Sequence, residues 1–492
     1  MKSKIQLDPK IVVSIVYVIA MFMVSMDGTI VNVILPTISN EFNLDPSSAS
    51  GINVGYLVSL AVFLPVAGWL GDRFGTKKIF LMALGVFTAA SFLCGFANNL
   101  QTLNLFRVLQ GAGGGILTPV GMAILFRTFS VEERPKVSRS LVLPIAFAPA
   151  VGPIVGGFLA EQLSWRWAFY INVPFGIMVL LFGVWFLKEH KEPTAGKLDL
   201  PGFLMSAAGF SMLMYAMSIG PSKGWDSPVI MYTGIIGAVL VLSFILLELR
   251  VNEPMLDLRL FSDRLFRTLG IISLFSMAGL LGMLFVFPLM FQSSLHASAL
   301  ESGLTTFPEA IGLMVASRMM PWTTKKLGIH QVIRIGLLST IIIYTLISLV
   351  GPTANPWFLR ALLFSVGVCL GHTVVAVQFS TFTNINSASM GMAATLFNVQ
   401  NRIGSAIGVA ILASILGAVG TSSIGTNGEQ HFSLTSYQFA LLGSVALLVI
   451  ALLFAMRLKK DDFKAKIPKQ HMAKSLVVKQ VSSGDVTHSV RF

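Results

Sequence analysis

The chain has 492 residues, 54% of them hydrophobic and only 12% charged, with a mean hydropathy of +0.78; this excludes an ordinary soluble globular domain and indicates a membrane protein. The formal charge of +13 would suit a nucleic-acid partner if it formed one face of a soluble domain. Instead the basic residues lie in alternate loops and in the C-terminal tail, the pattern of a polytopic membrane protein, which argues against nucleic acid.

Fourteen apolar runs follow one another, at 11–35, 52–70, 79–96, 103–126, 141–159, 167–187, 200–219, 230–249, 269–291, 304–320, 332–350, 357–382, 392–419 and 437–456. Each is long enough to cross a hydrocarbon core about 30 Å thick, so an all-α integral membrane protein with 14 transmembrane helices is predicted. The first run is too long for a cleavable signal peptide and carries Asp27. Lys and Arg cluster before span one, between spans two and three, four and five, six and seven, eight and nine, and ten and eleven. With an even span count, this places both termini in the cytoplasm. Cys94 and Cys369 both fall in spans, so no disulfide framework is expected. The basic tail has no core-forming pattern and is expected to be disordered.

In span one, the segment 26–36 reads MDGTIVNVILP. A charged carboxylate inside a membrane helix costs several kcal/mol, which makes Asp27 a candidate proton carrier; the alternative is a carboxylate permanently bonded to a neighbouring helix. Asn32, in the same helix, either lines a cavity or bridges helices. Residues 68–78 read GWLGDRFGTKK. Gly68 and Gly71 permit a close helix contact, Gly75 a tight turn, and Asp72 and Arg73 supply charges able to pair across two halves in one conformation and part in another. In span four, 103–115 reads LNLFRVLQGAGGG, with Arg107 as an intramembrane cation that needs a partner or water, or else snorkels.

Span five contains APAVGPIVGGFL at 148–159. Gly costs about 1 kcal/mol and Pro about 3 in a water-exposed helix. In a membrane, Gly152, Pro153, Gly156 and Gly157 instead allow helices to approach closely. Glu309 follows Pro308 in span ten, as a buried anion or as a first-turn carboxylate favoured by the helix dipole. His372 and Gln378 in span twelve are candidate cavity residues, and Asn398, Gln400, Asn401 and Arg402 form a polar cluster in span thirteen that suits helix–helix bonding.

Compared with itself at an offset of about 252 residues, the chain aligns Pro36 with Pro288, Gly75 with Gly328, Arg107 with Arg360, Gly114 with Gly367, and Gly152 and Gly156 with Gly404 and Gly408. Two six-span halves in parallel repeat follow, with two spans inserted between them. Lys325 stands where Asp72 would align.

From residue 11 to about 456, these motifs resemble the fourteen-span drug:proton antiporters of the major facilitator superfamily, the EmrB/QacA type. The segments WRWAFYINVPFG (165–176) and PMLDLRLF (254–261) add to the likeness without suggesting chemistry. The resemblance implies a major facilitator fold of two six-helix bundles in pseudo-two-fold parallel repeat: residues 1–187, a linker with the two extra helices at 188–263, a second bundle at 264–457, and a cytoplasmic tail at 458–492. It implies proton-coupled efflux of amphiphilic, cationic compounds by alternating access. Asp27 and Arg107 would carry proton coupling, and the 68–75 segment (Gly68, Gly71, Asp72, Arg73, Gly75) would gate the cytoplasmic side. Gly152, Pro153, Gly156 and Gly157 would form the antiporter motif, with Asn32, Glu309, His372 and Gln378 as candidates for the substrate cavity. The partners expected are a small-molecule substrate, protons and the lipid bilayer, with a monomeric chain and a membrane-fusion adaptor where a second membrane exists. No P-loop occurs, no cofactor or metal is expected, and no enzyme chemistry is indicated. A dedicated exporter of one metabolite or lipid, and a proton-symport importer, are the alternatives.

Overall fold

The computed structural model describes residues 8–43, 49–129, 134–191, 198–251, 254–351, 355–385, 389–419, 422–424 and 430–463. The first half comprises α1 (Pro9–Glu41), α2 (Ser50–Phe74), α3 (Thr76–Gly95), α4 (Leu100–Thr128), α5 (Arg134–Gln162), and α6 (Trp167–Tyr170) with α7 (Asn172–Phe186), which together make one span. A hairpin of α8 (Leu200–Lys223) and α9 (Pro228–Glu248) follows. The second half comprises α10 (Arg264–Ser293), α11 (Ala299–Leu327), α12 (Ile329–Ser348), α13 (Pro356–Ser380), α14 (Met390–Val419) and α15 (Leu434–Ala455). These helices account for all fourteen apolar runs.

Among the described residues, twelve spans are long and apolar enough to cross a membrane. The other two, α5 and α11, have 29 residues each and pack along one another between the halves. Helix α11 carries Glu301, Glu309, Arg318, Lys325 and Lys326, which protein contact tolerates better than lipid does.

Most helices exceed their apolar runs because polar residues cap them. Asp8 accepts from Lys10 N (2.9 Å), Asn99 from Thr102 N (2.9 Å), and Ser298 from Glu301 N (3.1 Å). The turn between α2 and α3 rests on Gly75 at φ 104°, and the matching turn between α11 and α12 on Gly328 at φ 79°; both lie in the region that favours glycine. The repeat extends to packing. Gly152 and Gly156 press α5 onto the Met26–Ile30 turn of α1, and Gly404 and Gly408 press α14 onto Leu274 and Ala278 of α10.

The face holding the start of α1 and the end of α15 is termed proximal here, and the opposite face distal. On the proximal face, Glu189 reaches back from beyond α7 to accept from Lys77 N (3.0 Å) and Lys78 N (3.1 Å), and the His190 carbonyl accepts from Thr76 N (2.8 Å). The carboxylate thus caps α3 at the positive end of its dipole. The α8–α9 hairpin begins only after this clamp and packs against α2 and α14.

One expectation changes. Residues 458–463 of the tail are ordered: Arg334 donates to the carbonyls of Ala455 (3.2 Å), Met456 (2.9 Å) and Leu458 (2.6 Å), and a 3₁₀ turn, Lys460–Phe463, follows against α12. The cation satisfies carbonyls left open by the end of α15. From residue 464 on, the tail lies outside the described residues. A two-stranded antiparallel ribbon, Ser422–Ile424 with Gln430–Phe432, also precedes α15; three-residue strands carry too little periodicity to stand out in sequence.

Candidate functional site

Asp27 lies just past the middle of α1, fully buried. Its Oδ2 accepts from Arg107 Nη1 at 2.5 Å, and its Oδ1 from Gln110 Nε2 (2.8 Å) and Asn172 Nδ2 (3.2 Å). Arg107 Nη1 also reaches Gln110 Oε1 (2.7 Å), and its Nε donates to the Ile52 carbonyl (3.3 Å). Its guanidinium lies 4.1 Å from the Tyr56 ring centroid, stacking that supplements the ion pair. Ser91 Oγ accepts from both Gln110 (2.8 Å) and Asn172 (3.1 Å). The network therefore joins α1, α2, α3, α4 and α7. Arg107 is wholly buried and paired, so the snorkelling alternative fails.

A buried ion pair is tolerated only when its remaining valences are satisfied. Here the donors around Asp27 suit the ionised carboxylate, whereas Arg107 Nη2 has no partner among the described residues. Protonating Asp27 would remove the charge that holds Arg107 and free a second guanidinium nitrogen. Tyr56, whose hydroxyl donates to the Val24 carbonyl (3.3 Å), also interacts electrostatically with Arg402 of α14.

Helix α5 places the glycine motif beside this network. One face, Gly152 and Gly156, contacts α1 next to Asp27; the other, Pro153 and Gly157, contacts Ala299, Leu300 and Gly303 of α11. Further distal contacts between the halves are Gln292 Nε2 to the Val33 carbonyl (2.8 Å) and Leu300 N to Glu161 Oε2 (3.2 Å). Together they close the distal side.

On the proximal side, Gly71 packs on Thr76 and Val120, while Gly68 faces open space and Arg73 is exposed. Asp72 accepts from Arg127 of α4 (2.8 Å), within its own half rather than across the halves. Gly75 holds its turn directly over the Glu189 carboxylate.

The cavity candidates scatter. Asn32 is buried and accepts from Asn53 Nδ2 (2.7 Å), the helix-bridging role. His372 is buried, with Nδ1 2.8 Å from the Val368 carbonyl, and Gln378 is exposed. Glu309 is the eleventh residue of α11, beyond the reach of the helix dipole, which fades after the first turn; Glu301 occupies that turn instead. In the span-thirteen cluster, Asn401 accepts from Ser273 of α10 (2.7 Å), whereas Asn398 donates to its own helix at Ala394 (2.8 Å).

Five participants escape the sequence reading: Tyr56, Ser91, Gln110, Phe169 and Asn172. Gln110 follows Arg107 by three residues and so shares its helix face, a spacing that was readable. Asn172 and Phe169 come from the WRWAFYINVPFG segment, expected to carry no chemistry; yet Asn172 bonds Asp27, and the Phe169 ring lies 5.7 Å from the guanidinium.

Two helical bundles with a buried ion pair beside their interface define a membrane transporter, and comparison with known proteins specifies its kind. The sequence matches the Major Facilitator Superfamily profile over residues 17–409, and the chain belongs to that family, whose members transport rather than catalyse. It is 31% identical over 397 residues to the uncharacterized MFS-type transporter YhcA of Bacillus subtilis (strain 168), covering 80% of this chain and 75% of that protein. It is 29% identical over 402 residues to the multidrug transporter protein MdtP of the same organism, covering 82% and 74%. Among solved structures, a bacterial homolog of the human lysosomal transporter Spinster, inward-facing and unoccupied, superposes with a TM-score of 0.64 at 18% identity, covering 92% of this chain and 98% of that one. That likeness concerns the fold.

Proposed function

We propose that this chain is a proton-coupled multidrug exporter of the fourteen-span antiporter type, resident in the cell membrane with both termini in the cytoplasm. The observation that carries the reading is the Asp27–Arg107 pair, enclosed in the first half and set against the α5 turn whose far side seals the distal seam. The likeness to MdtP supports export of several compounds.

In the cycle we propose, Asp27 takes a proton while accessible from outside and releases it toward the cytoplasm, where Arg107, Gln110 and Asn172 restore the ionised form. The bundles 1–187 and 264–457 rock about the α5–α11 and α2–α14 contacts. The segment 68–75 governs proximal opening, and an amphiphilic cation enters from that side near Gln378. Exchange of one proton on Asp27 for a monovalent cation is electroneutral and is driven by the pH gradient; a membrane potential of 100 mV adds about 2.3 kcal/mol only for each net charge moved.

The test is reconstitution into acid-loaded liposomes, following internal pH as ethidium and a panel of amphiphilic cations are added. Drug-triggered proton efflux lost in Asp27→Asn supports the reading. Silence across a chemically broad panel refutes the multidrug assignment, and alkaline-driven co-uptake would make the chain a symporter.

A further inference from the structure

Asp27 and Glu309 are both carboxyls buried within membrane helices, and their surroundings are opposite. Asp27 has a guanidinium and two amide donors. Glu309 is 5% exposed, both its oxygens are enclosed, and among the described residues neither accepts a hydrogen bond.

Among the described residues, the titratable and charged groups on helices packed against α11 make no hydrogen bond to Glu309. On α13, Arg360 stacks over Trp357 (4.6 Å) and donates from Nε to Thr305 Oγ1 (3.4 Å), one turn distal to Glu309. Cys369 and His372 lie further along α13, with His372 Nε2 buried and unpartnered. On α12, Tyr344 interacts electrostatically with Glu309, and its hydroxyl is buried without a partner; His330 and Arg334 are at the proximal end. Glu161 of α5 accepts from Leu300 N. On α1, Asp27 is held by Arg107 and Glu41 by Arg166, while Arg264 and Arg267 of α10 bind proximal carbonyls. An ionised carboxylate enclosed in a membrane without donor or cation is a costly species; a neutral carboxyl there is not.

We infer that Glu309 is a second proton-bearing carboxyl of the transport cycle, loaded in this distally closed conformation while Asp27 is unloaded. Its place on α11 gives it a means of loading from the distal side. Gly303, six residues earlier and about 9 Å along the helix axis, lies in the distal seam against Pro153. Glu309 itself sits where its backbone carbonyl meets Gly367 of α13. When the seam parts, α11 moves relative to α5, and Glu309 takes a proton from the newly admitted distal water, keeps it as the seam closes, and gives it up toward the proximal side after Asp27 has done so. The cycle then carries two protons. Exchange of two protons for a monovalent cation moves one net charge, whereas exchange of one proton is electroneutral.

The inference rests on the proposed antiport only for its place in the cycle, and the experiment separates the two. Infrared difference spectra of the full-length protein in liposomes at neutral pH are compared among wild type, Glu309→Gln, Glu309→Asp and Asp27→Asn. A carboxylic-acid C=O band present in wild type and Asp27→Asn, shifted in Glu309→Asp and absent in Glu309→Gln is expected. Superimposable wild-type and Glu309→Gln spectra overturn the proposal without reference to transport. Glu309→Asp, which keeps the acid, distinguishes loss of the band from loss of the fold. In a second arm, ethidium exchange is measured with and without a potassium-diffusion potential. Voltage-sensitive exchange in wild type that becomes voltage-insensitive in Glu309→Gln is expected. Exchange by Glu309→Gln that keeps its voltage sensitivity overturns the second-proton role. Absence of proton-driven ethidium movement in wild type counts against the antiport reading, and the infrared result then decides the protonation of Glu309 by itself.

Discussion

Gly303 of α11 lies beneath the carbonyl of Pro153 on α5 so closely that a Cβ at residue 303 would collide with that backbone. The contact joins the halves at the distal face through two residues without long side chains. Backbone on both sides leaves little to yield.

Gly303→Val is therefore expected to force the distal seam apart. A Gln292→Cys reporter labelled by a membrane-impermeant maleimide from the distal side should react at least tenfold faster in the Gly303→Val background. Unchanged labelling would mean that the seam absorbs the added volume.

Arg107→Ala strands the Asp27 carboxylate in the bundle, whereas Asp27→Asn leaves a neutral amide able to accept from the same guanidinium. Breaking one side of a buried pair costs about 3–5 kcal/mol. Arg107→Ala should thus lower the unfolding temperature in detergent clearly more than Asp27→Asn, with the double variant recovering part of the loss. Negligible shifts for both single variants would show that the pair contributes little to the fold.

Asn172→Ala removes one charge-assisted donor to Asp27 and one bond to Ser91. Hydrogen bonds to charged groups contribute about 1.5–3 kcal/mol each. A measurable fall in thermal stability and slower proton-driven transport are expected, while Asn32→Ala, which loses the bond to Asn53, should affect transport less. The reverse order would move the coupling centre away from Asp27.

Gly75→Ala combines an unfavourable positive φ with a side chain directed into Glu189. Glu189→Ala leaves the turn intact but uncaps α3, a loss of about 0.5–2 kcal/mol. Hydrogen exchange at the start of α3 should accelerate in both, and more in Gly75→Ala. No change in Glu189→Ala would reduce the clamp to a surface contact.

The spans were legible because a bilayer demands long apolar runs, and the repeat because Pro36 and Pro288, or Gly75 and Gly328, mark the same bends twice. What the sequence did not reveal is pairing across distance. Asn172 is 145 residues from Asp27, and nothing local in its segment announces a partner. For Glu309 the sequence left burial and a first-turn position both open, because α11 begins five residues before its apolar run, where Ser298 and Glu301 start the helix in polar sequence. Asp72 meets Arg127 rather than the opposite half, a choice that depends on which conformation the bundle adopts.

The clamp of Glu189 and His190 onto α3 completes the first bundle before the chain departs for α8. The inserted hairpin therefore enters after the first bundle is closed and spans both halves, resting on α2 of one and α14 of the other. Joining residue 191 to the segment that leads into α10 is a direct route to a twelve-helix relative, and its behaviour would show what lineages with the longer architecture gained by keeping the insert.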